Sequence, residues 1–403
     1  MSGEPRSETP AREDPYPPIA FVDLKRQYQA LRPEILEAVE RVCGAADFVL
    51  GVELQRFEEE FAALAGARHV VGVGSGTGAL VLALKAAGIG AGDEVIAPAN
   101  TFISTVLAIT HAGARPVLAD VNPDTHLLEA DEVARRLTRR TKAVIPVHLF
   151  GQTADVEAIR RVLRRSPKTS GRVLILEDAC QAHGAALRGR PAGSLGDLAA
   201  FSFYPGKNLG AYGEGGAVAT GSASWDTRLR ALRNIGQKSK NLHAWPGYNE
   251  RLDTLQAAIL RVKLRRLAGW NESRRAAARL YASGLADSPV AAPVEAKGNR
   301  HVYHLYVIRA PRRDALAAHL RERRIATGIH YPRPVHRQPC YAGLKKPRGS
   351  FPHAEKAASE ILSLPMFPEI RPDEIDRVCR EIHAFYKSPP GRNAGRAHRE
   401  VRP

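Results

Sequence analysis

The sequence is poor in cysteine, methionine and aromatic residues. Four cysteines occur in 403 residues, and no two of them form a C-x-x-C pair. Scattered cysteines argue against a disulfide framework or a cysteine-rich zinc site, and they are typical of reduced cytosolic thiols. Apolar runs are interrupted by charge or glycine well before the roughly 20 residues that a membrane span needs. A secretory signal is also lacking at the start, so we expect a cytoplasmic protein without a membrane segment.

Acidic residues are outnumbered by basic ones, 42 against 59, which gives a formal net charge of +17. The arginines lie along helical segments between alanine and leucine, as in 158–165 (AIRRVLRR), without interleaved aromatic residues. This pattern is typical of solvated helix faces, so we expect no nucleic-acid partner. The positive field would favour an anionic small substrate.

The first half of the chain alternates between short apolar strands and helical segments. The alternation runs from a strand at 69–73 to a strand at 172–177, and its strands are rich in β-branched residues. This pattern predicts an α/β fold with a mostly parallel central sheet flanked by helices. Ligands of such sheets bind beyond the carboxyl ends of the strands, so that edge is where a site is expected.

The pattern changes after Gly216. A long helical segment is predicted from about Leu252 to Leu285, with a break near Gly269 and Trp270, and a strand is predicted at 301–308. These elements predict a smaller α+β domain. The resulting division is a disordered tail at 1–18, N-terminal helices and a large domain at 19–265, a small domain at 266–388 and a basic disordered tail at 389–403.

The first candidate site is a glycine-rich turn at a strand-to-helix junction, 72–78 (GVGSGTG). Glycines let backbone N–H groups approach an anion, and a helix N-terminus favours negative charge. The spacing is not G-x-G-x-x-G, because Thr77 stands at the last glycine position, and no Walker sequence is present. The turn therefore predicts a phosphate site rather than a dinucleotide site. A purely structural turn is the alternative.

Asp178 ends a strongly apolar strand, where an ionised carboxylate is costly unless it faces a cation. A protonated pyridine nitrogen is such a cation, and the carboxylate would keep it protonated. Gln181 could then hydrogen-bond a ring oxygen of the same cofactor. Phe102, just past another strand, could stack on a planar ring. The alternatives are a capping aspartate and a core phenylalanine.

A single lysine lies within a glycine-lined turn, 201–216 (FSFYPGKNLGAYGEGG). Pro205 and Gly206 end the apolar strand, and the following glycines let the backbone approach a ligand closely. This setting predicts that Lys207 forms a Schiff base. A phosphate turn, a carboxylate for a ring nitrogen and a lysine at one sheet edge together indicate pyridoxal 5′-phosphate (PLP).

Four stretches carry a resemblance to a known family: 146–152 (PVHLFGQ), 177–184 (EDACQAHG), 202–210 (SFYPGKNLG) and 247–258 (GYNERLDTLQAA). They resemble the DegT/DnrJ/StrS-type nucleotide-sugar aminotransferases, PLP enzymes of the aspartate-aminotransferase fold. The resemblance covers residues 19–386. It implies that fold, with a mostly parallel central sheet and a smaller C-terminal α+β domain.

The resemblance also implies a role for individual residues. Lys207 and Asp178 would be catalytic. The implied cofactor-binding residues are Gly76, Thr77, Gly78, Phe102, Asp178, Gln181, Ser202, Lys207 and Asn249. Asn249 would reach the phosphate from the other subunit of a homodimer with shared active sites. Substrate contacts are implied for Tyr204, His330 and Tyr331, the last two from the partner chain; a rigid X-Pro loop is the alternative for 330–331.

The implied reaction is transfer of an amino group, with L-glutamate as the donor, to a nucleotide-linked keto-6-deoxysugar. The loop at 328–341 is most similar to members that aminate C3 of dTDP-3-keto-6-deoxyhexoses, in deoxyaminosugar biosynthesis for antibiotics or surface glycans. Lysine rather than histidine at 207 favours transamination over dehydration. Arg333 and Arg337 replace apolar residues of many relatives. The alternatives are a cyclitol aminotransferase, an aminoshikimate-type dehydratase and a PLP-binding regulator; no metal is expected.

Overall fold

The computed structural model describes residues 17–388, so the predicted tails at 1–18 and 389–403 lie outside it except for residues 17 and 18. The helices are α1 (Leu24–Ala45), α2 (Val52–Ala65), α3 (Gly76–Ala86), α4 (Ser104–His111), α5 (Ala130–Arg136), α6 (Val156–Arg165), α7 (Ala223–Arg233), α8 (Thr254–Gly284), α9 (Arg313–Glu322), α10 (Pro352–Glu360) and α11 (Pro372–Lys387). The strands are β1 (His69–Val73), β2 (Glu94–Pro98), β3 (Arg115–Ala119), β4 (Thr141–Val144), β5 (Leu174–Asp178), β6 (Ala186–Leu187), β7 (Arg190–Pro191), β8 (Leu198–Ser202), β9 (Gly216–Thr220), β10 (Gln237–Ser239), β11 (Leu242–His243), β12 (Asn299–Arg300), β13 (Tyr306–Arg309) and β14 (Ile361–Leu364).

A seven-stranded sheet with the strand order β1-β9-β8-β5-β4-β2-β3 forms the centre of the fold. Strand β9 runs antiparallel to both of its neighbours, and every other pairing in the sheet is parallel. Strands β2 and β9 are buried along their whole length, because helices cover both faces of the sheet. The predicted α/β fold with a mostly parallel central sheet is confirmed.

The long helix α8 is continuous from Thr254 to Gly284, so the predicted break near Gly269 and Trp270 is wrong. A glycine inside a helix costs only about 1 kcal/mol relative to alanine. Packing of α8 against α1, α2 and α11 outweighs that cost. A Cβ atom at Gly269 would meet no atom within 4 Å, so this glycine lies on the open side of the helix.

The two halves of α8 contribute to different hydrophobic clusters. Ala257 and Leu260 pack with residues of β1, β8 and β9, whereas Ala278 and Tyr281 pack with β13, β14, α9 and α11. The predicted strand at 301–308 is shorter, since β13 begins at Tyr306, and its partner β14 was not predicted. The predicted boundary between residues 265 and 266 falls inside α8 and stays a prediction.

The described residues contain no helix that is long and apolar enough to cross a bilayer. Within 17–388 there is also no group of three or more His, Cys, Asp or Glu side chains arranged to hold a metal ion. The four cysteines are free thiols.

A buried carboxylate, Glu177, fixes the loops around the end of β5. The Glu177 side chain is 0% exposed and accepts hydrogen bonds from the backbone N–H groups of Gly193 (3.0 Å), Leu195 (2.8 Å) and Gly196 (2.6 Å). The Nε2 atom of His148 lies 2.8 Å from the same carboxylate. Because Nδ1 of His148 accepts from the backbone N–H of Ala154, Nε2 carries the proton and donates it to Glu177.

We expect Glu177→Gln to destabilise the protein by about 3 kcal/mol, because an amide NH₂ would face N–H donors in a buried site. The shift of the urea unfolding midpoint measures the effect. Glu157→Gln is the matched control, since Glu157 pairs with arginines at the surface and its loss should cost less than about 1 kcal/mol. Equal midpoints for the two variants would contradict the role assigned to Glu177.

Candidate active site

The candidate site lies at the carboxyl ends of β1, β2, β5 and β8. These strands run in one direction, so the residues that follow them meet at one edge of the sheet. Gly76 follows β1, Phe102 follows β2, Asp178 ends β5 and Ser202 ends β8. The structure thus brings together the strand ends that carry the predicted phosphate turn, the aromatic ring of Phe102 and the carboxylate of Asp178.

Asp178 is a buried carboxylate without a cation. Its side chain is 5% exposed, and Oδ2 accepts a hydrogen bond of 2.7 Å from the hydroxyl of Thr105. The backbone N–H of Cys180 donates to Oδ1 at 3.3 Å. No described arginine, lysine or histidine lies within ion-pair distance of Asp178. A carboxylate in this setting is suited to hold a positively charged ligand group.

The N-terminus of α3 leaves the backbone N–H groups of its first two residues without a helical partner. Ser75 caps the helix, because its Oγ accepts from the backbone N–H of Gly78 at 2.9 Å. This bond engages the Gly78 N–H that the sequence analysis assigned to a phosphate. The N–H groups of Gly76 and Thr77 have no partner within the helix. The Thr77 hydroxyl donates to Ser104 Oγ at 2.9 Å.

Ser202 closes the other side of this turn. A Cβ atom at Gly76 would lie 2.6 Å from Cβ and 3.1 Å from Oγ of Ser202, and 3.1 Å from Sγ of Cys180. Glycine at 76 is therefore required for this close approach. Burial raises the pKa of the Cys180 thiol well above its usual value, and the charge of Asp178 acts in the same direction. Cys180 is therefore an uncharged packing residue beneath the turn.

Gln181, Tyr331 and Phe102 form a contiguous set. Gln181 Oε1 accepts from the backbone N–H of Phe150 at 2.7 Å, and its Nε2 donates to the Tyr331 hydroxyl at 3.1 Å. The Phe102 and Tyr331 ring centroids are 5.5 Å apart, and Phe102 is 51% exposed. Tyr331 therefore reaches the site of its own chain, and the expectation that it comes from a partner chain is corrected for this residue.

Lys207 lies in the turn between β8 and β9. Its backbone N–H donates to the carbonyl of Tyr204 at 2.9 Å, and its amine forms no hydrogen bond or ion pair with any residue in the described range. Burial lowers the pKa of the Lys207 ammonium, against the opposing charge of Asp178. A lysine with a lowered pKa and a free amine is a candidate nucleophile and base.

His330 is held by strand β14. Its Nδ1 lies 2.8 Å from Ser363 Oγ, and its ring stacks on Phe21 with centroids 5.6 Å apart. Burial lowers the pKa of His330 to about 4, and the charge of Lys207 acts in the same direction. His330 is therefore a neutral imidazole near pH 7.

The remaining two residues predicted for the site are exposed. Tyr204 is 55% exposed, and its ring lies against Gly206 in the Lys207 turn. The Asn249 side chain makes no hydrogen bond to any residue of 17–388. Its backbone forms an isolated antiparallel bridge with Asn234. Its predicted contact across a dimer stays a prediction.

Two features of the site were not found from the sequence. Thr105 donates to Asp178, and the backbone N–H of Phe150 orients Gln181. Thr105 lies in the first turn of α4, three residues after Phe102, and no sequence motif marks it as a partner of Asp178. For the Phe150 contact the sequence carries no signal, because the donor is a backbone group brought close by tertiary structure.

A model of the DegT/DnrJ/EryC1/StrS aminotransferase family matches residues 29–383. A dTDP-3-amino-3,4,6-trideoxy-alpha-D-glucose transaminase of Streptomyces venezuelae is 47% identical over 381 residues, which cover 94% of this chain and 97% of the relative. A protein of Geobacillus stearothermophilus named pleiotropic regulatory protein is 44% identical over 372 residues, 92% of this chain and 99% of the relative.

Among solved structures, the fold resembles S. venezuelae DesV in complex with a ketimine intermediate. The TM-score is 0.89 at 46% identity, with 93% of this chain and all of the DesV chain covered. The family match extends from α1 to α11 and includes every strand end of the candidate site. The chain belongs to the DegT/DnrJ/EryC1/StrS aminotransferase family.

Proposed function

We propose that the protein is a PLP-dependent aminotransferase that converts a nucleotide-linked keto-6-deoxysugar to the amino sugar. The proposed substrate is a dTDP-3-keto-6-deoxyhexose and the proposed donor is L-glutamate. The proposal depends on one observation. The Lys207 amine has no hydrogen-bond or ion-pair partner in the described residues, and it lies beside Asp178, a buried carboxylate with no described cation within ion-pair distance. The transaminase of S. venezuelae at 47% identity supports the choice of a dTDP-sugar.

The residues of the site fit PLP in charge and chemistry. Gly76, Thr77 and Ser202 would hold the phosphate, since the first two offer backbone N–H groups at a helix N-terminus and the third a hydroxyl. Asp178 would hold a proton on the ring nitrogen. Lys207 would bind the aldehyde carbon.

Gln181 and Phe102 would position the ring of the cofactor. The Gln181 amide is already oriented by the backbone N–H of Phe150, which would direct its NH₂ group toward the ring oxygen. Phe102 is exposed on the same edge and would cover one face of the ring.

In the proposed transamination, PLP and a few side chains have separate roles. When bound, PLP withdraws electrons from the carbon that loses its proton. The Lys207 amine would take this proton from the donor carbon and pass it to the former aldehyde carbon of PLP. In the second half-reaction it would move a proton from that carbon to the sugar carbon. The negative charge of Asp178 would favour the protonated ring nitrogen in both half-reactions. The neutral His330 and the Tyr204 and Tyr331 side chains would contact the sugar nucleotide.

We also propose that two chains form a homodimer in which Asn249 of one chain reaches the phosphate bound by the other. The exposed Asn249 side chain, which lacks a partner within its own described chain, supports this arrangement. The enzyme would act in the cytoplasm, in deoxyaminosugar biosynthesis for an antibiotic or a surface glycan.

The test is to incubate the purified protein with PLP, L-glutamate and a panel of dTDP- and UDP-linked keto-sugars. We expect 2-oxoglutarate and, by mass spectrometry, an amino sugar formed from a dTDP-3-keto-6-deoxyhexose. Loss of water without 2-oxoglutarate would instead indicate a dehydratase, and amination of a cyclitol ketone alone would indicate a cyclitol aminotransferase. PLP binding without any turnover would support a regulatory role.

We expect Gly76→Ala to weaken PLP binding at least about tenfold, a loss of about 1.4 kcal/mol. The added Cβ would lie 2.6 Å from Ser202 Cβ, so the phosphate turn must open. Titration of the cofactor absorbance gives the Kd. Gly269→Ala is the control, because a Cβ there meets nothing within 4 Å and should leave the Kd unchanged. An unchanged Kd in Gly76→Ala would contradict the location of the phosphate.

The lowered pKa of Lys207 predicts a pH dependence in the cofactor-free protein. A lower pKa leaves a larger neutral-amine fraction at any given pH, and the neutral amine is the nucleophile. Labelling of Lys207 by an amine-reactive reagent should therefore reach half its maximal rate at a lower pH than labelling of the exposed lysines. Peptide mass spectrometry measures all lysines in one sample. A midpoint above theirs would contradict the prediction.

A further inference from the structure

The chain that follows Lys207 is bonded to helix α8 at every second residue. Three α8 side chains, which we call the α8 polar face, make these bonds: Gln256, Lys263 and Asn271. They are seven and eight residues apart, close to two helical turns each, so they project from one side of the helix. Their partners are Tyr212, Gly210 and Asn208, in reverse order along the chain.

Lys263 is the central contact of the α8 polar face. It is 0% exposed, its Nζ donates to the carbonyl of Gly210 at 2.7 Å, and it lies 3.9 Å from the centroid of the Tyr212 ring. No carboxylate in the described part of the chain lies within ion-pair distance of it. Burial lowers the pKa of Lys263 to about 7. Burying a lysine without a carboxylate partner is unfavourable in free energy, so the contact of Lys263 with the turn needs an explanation.

The two flanking contacts bind the same segment. Gln256 Oε1 accepts from the backbone N–H of Tyr212 at 2.8 Å, and its Nε2 donates to the Tyr212 carbonyl at 3.4 Å. Asn271 Oδ1 accepts from Asn208 Nδ2 at 2.9 Å, and Asn271 Nδ2 donates to the carbonyl of His183 at 2.9 Å. His183 ends the segment that carries Asp178 and Gln181. One amide therefore links the Lys207 turn to the Asp178 segment.

The turn itself is a closed loop. The backbone N–H of Ala211 donates to the carbonyl of Phe203 at 2.8 Å, and Lys207 lies midway between them. Gly210 is required in this loop, because a Cβ atom there would fall 2.2 Å from the carbonyl oxygen of Pro205. The two ends of this loop are hydrogen-bonded to each other, and the residues that follow Lys207 are hydrogen-bonded to α8. The loop therefore has few alternative conformations.

We propose that Gln256, Lys263 and Asn271 are positioning residues that fix the Lys207 turn and its location relative to Asp178. The catalytic consequence rests on the proposed function. Effective catalysis requires the amine to be held near its target, and a displacement of about 1 Å can cost about a hundredfold in rate. The long helix, which joins the two hydrophobic clusters, would thereby set the geometry of the reactive lysine.

The test compares Lys263→Met with the control Arg265→Met in the full chain. Methionine keeps an apolar chain of similar length but cannot donate to Gly210, and Arg265 is an exposed basic residue on the same helix. We expect amide hydrogen exchange in the peptide 205–213 to rise at least about tenfold in Lys263→Met and not in the control. We expect kcat to fall about tenfold or more while the KM for glutamate changes less than about threefold.

A second variant covers the case in which Lys263→Met does not fold. Gln256 is half-buried, and Gln256→Ala should raise exchange in the same peptide while the thermal midpoint stays near that of the control. The proposal is overturned if every folded variant matches Arg265→Met in exchange and in kcat. Exchange needs no cofactor, so wild-type protein that binds no PLP would refute the proposed function and leave this comparison intact.

Discussion

Replacement of Lys207 by alanine should reduce transamination at least about 10⁴-fold and remove the absorbance band of bound PLP near 410–430 nm, roughly the usual range of that chromophore. Both effects have one cause, since the same amine binds the aldehyde carbon and moves the proton. Within the described residues no other lysine lies in the turn between β8 and β9 to replace it. Steady-state assay of 2-oxoglutarate and an absorbance spectrum measure the two effects.

The control for this variant is Lys25→Ala, which removes an exposed lysine at the start of α1. It should keep the spectrum and the rate. Adding a small primary amine to Lys207→Ala should restore part of the rate, because the missing group is a base and not a structural support. A variant that retains the band and more than about a tenth of wild-type activity would remove Lys207 from the mechanism.

Replacement of Asp178 by asparagine should lower kcat on the order of 10³-fold while PLP stays bound. Asparagine keeps the shape and can still accept the hydrogen bond from Thr105, so the loss isolates the negative charge. Without that charge nothing maintains the proton on the ring nitrogen, and the electron withdrawal that lowers the barrier is lost. Assay of turnover together with the PLP content per chain separates chemistry from binding.

The matched control is Asp314→Asn, which neutralises a largely exposed carboxylate in α9. Its kcat should stay within about twofold of the wild type, since the loss of an exposed pair is a minor electrostatic change. Asp178→Asn with near-normal kcat would show that the carboxylate serves only to hold Thr105 and the backbone at Cys180.

Much of the first half of the chain is predictable from local sequence. The strand at His69–Val73 and the helix that follows it were expected from an apolar run and a glycine-rich junction, and the structure has both. The C-terminal part of the described chain is less predictable. Strand β14 is four residues long and directly follows α10. So short a run of apolar residues does not show the hydrophobic periodicity that would distinguish a strand from the preceding helix. The break predicted at Gly269 does not occur, because the packing of α8 outweighs the cost of about 1 kcal/mol that a glycine adds inside a helix.

The identities of the chemical groups in the site follow from the amino-acid sequence alone. The residue types of Asp178 and Lys207, and their places at the ends of apolar strands, follow from the order of residues and the rule that parallel strands end at one sheet edge. Their mutual geometry is a different matter, because it depends on contacts between segments far apart in the chain.

The way in which these groups are held depends on tertiary contacts. Gln181 is oriented by a backbone N–H 31 residues away, and Tyr331 approaches it from 150 residues away. The Lys207 turn is likewise held by a lysine on α8, through a bond between residues 53 positions apart. Such bonds form between backbone or side-chain groups that no local pattern marks. Short sequence motifs therefore specify the chemical groups of the site, whereas the positions of those groups depend on the long helix and the packing around it.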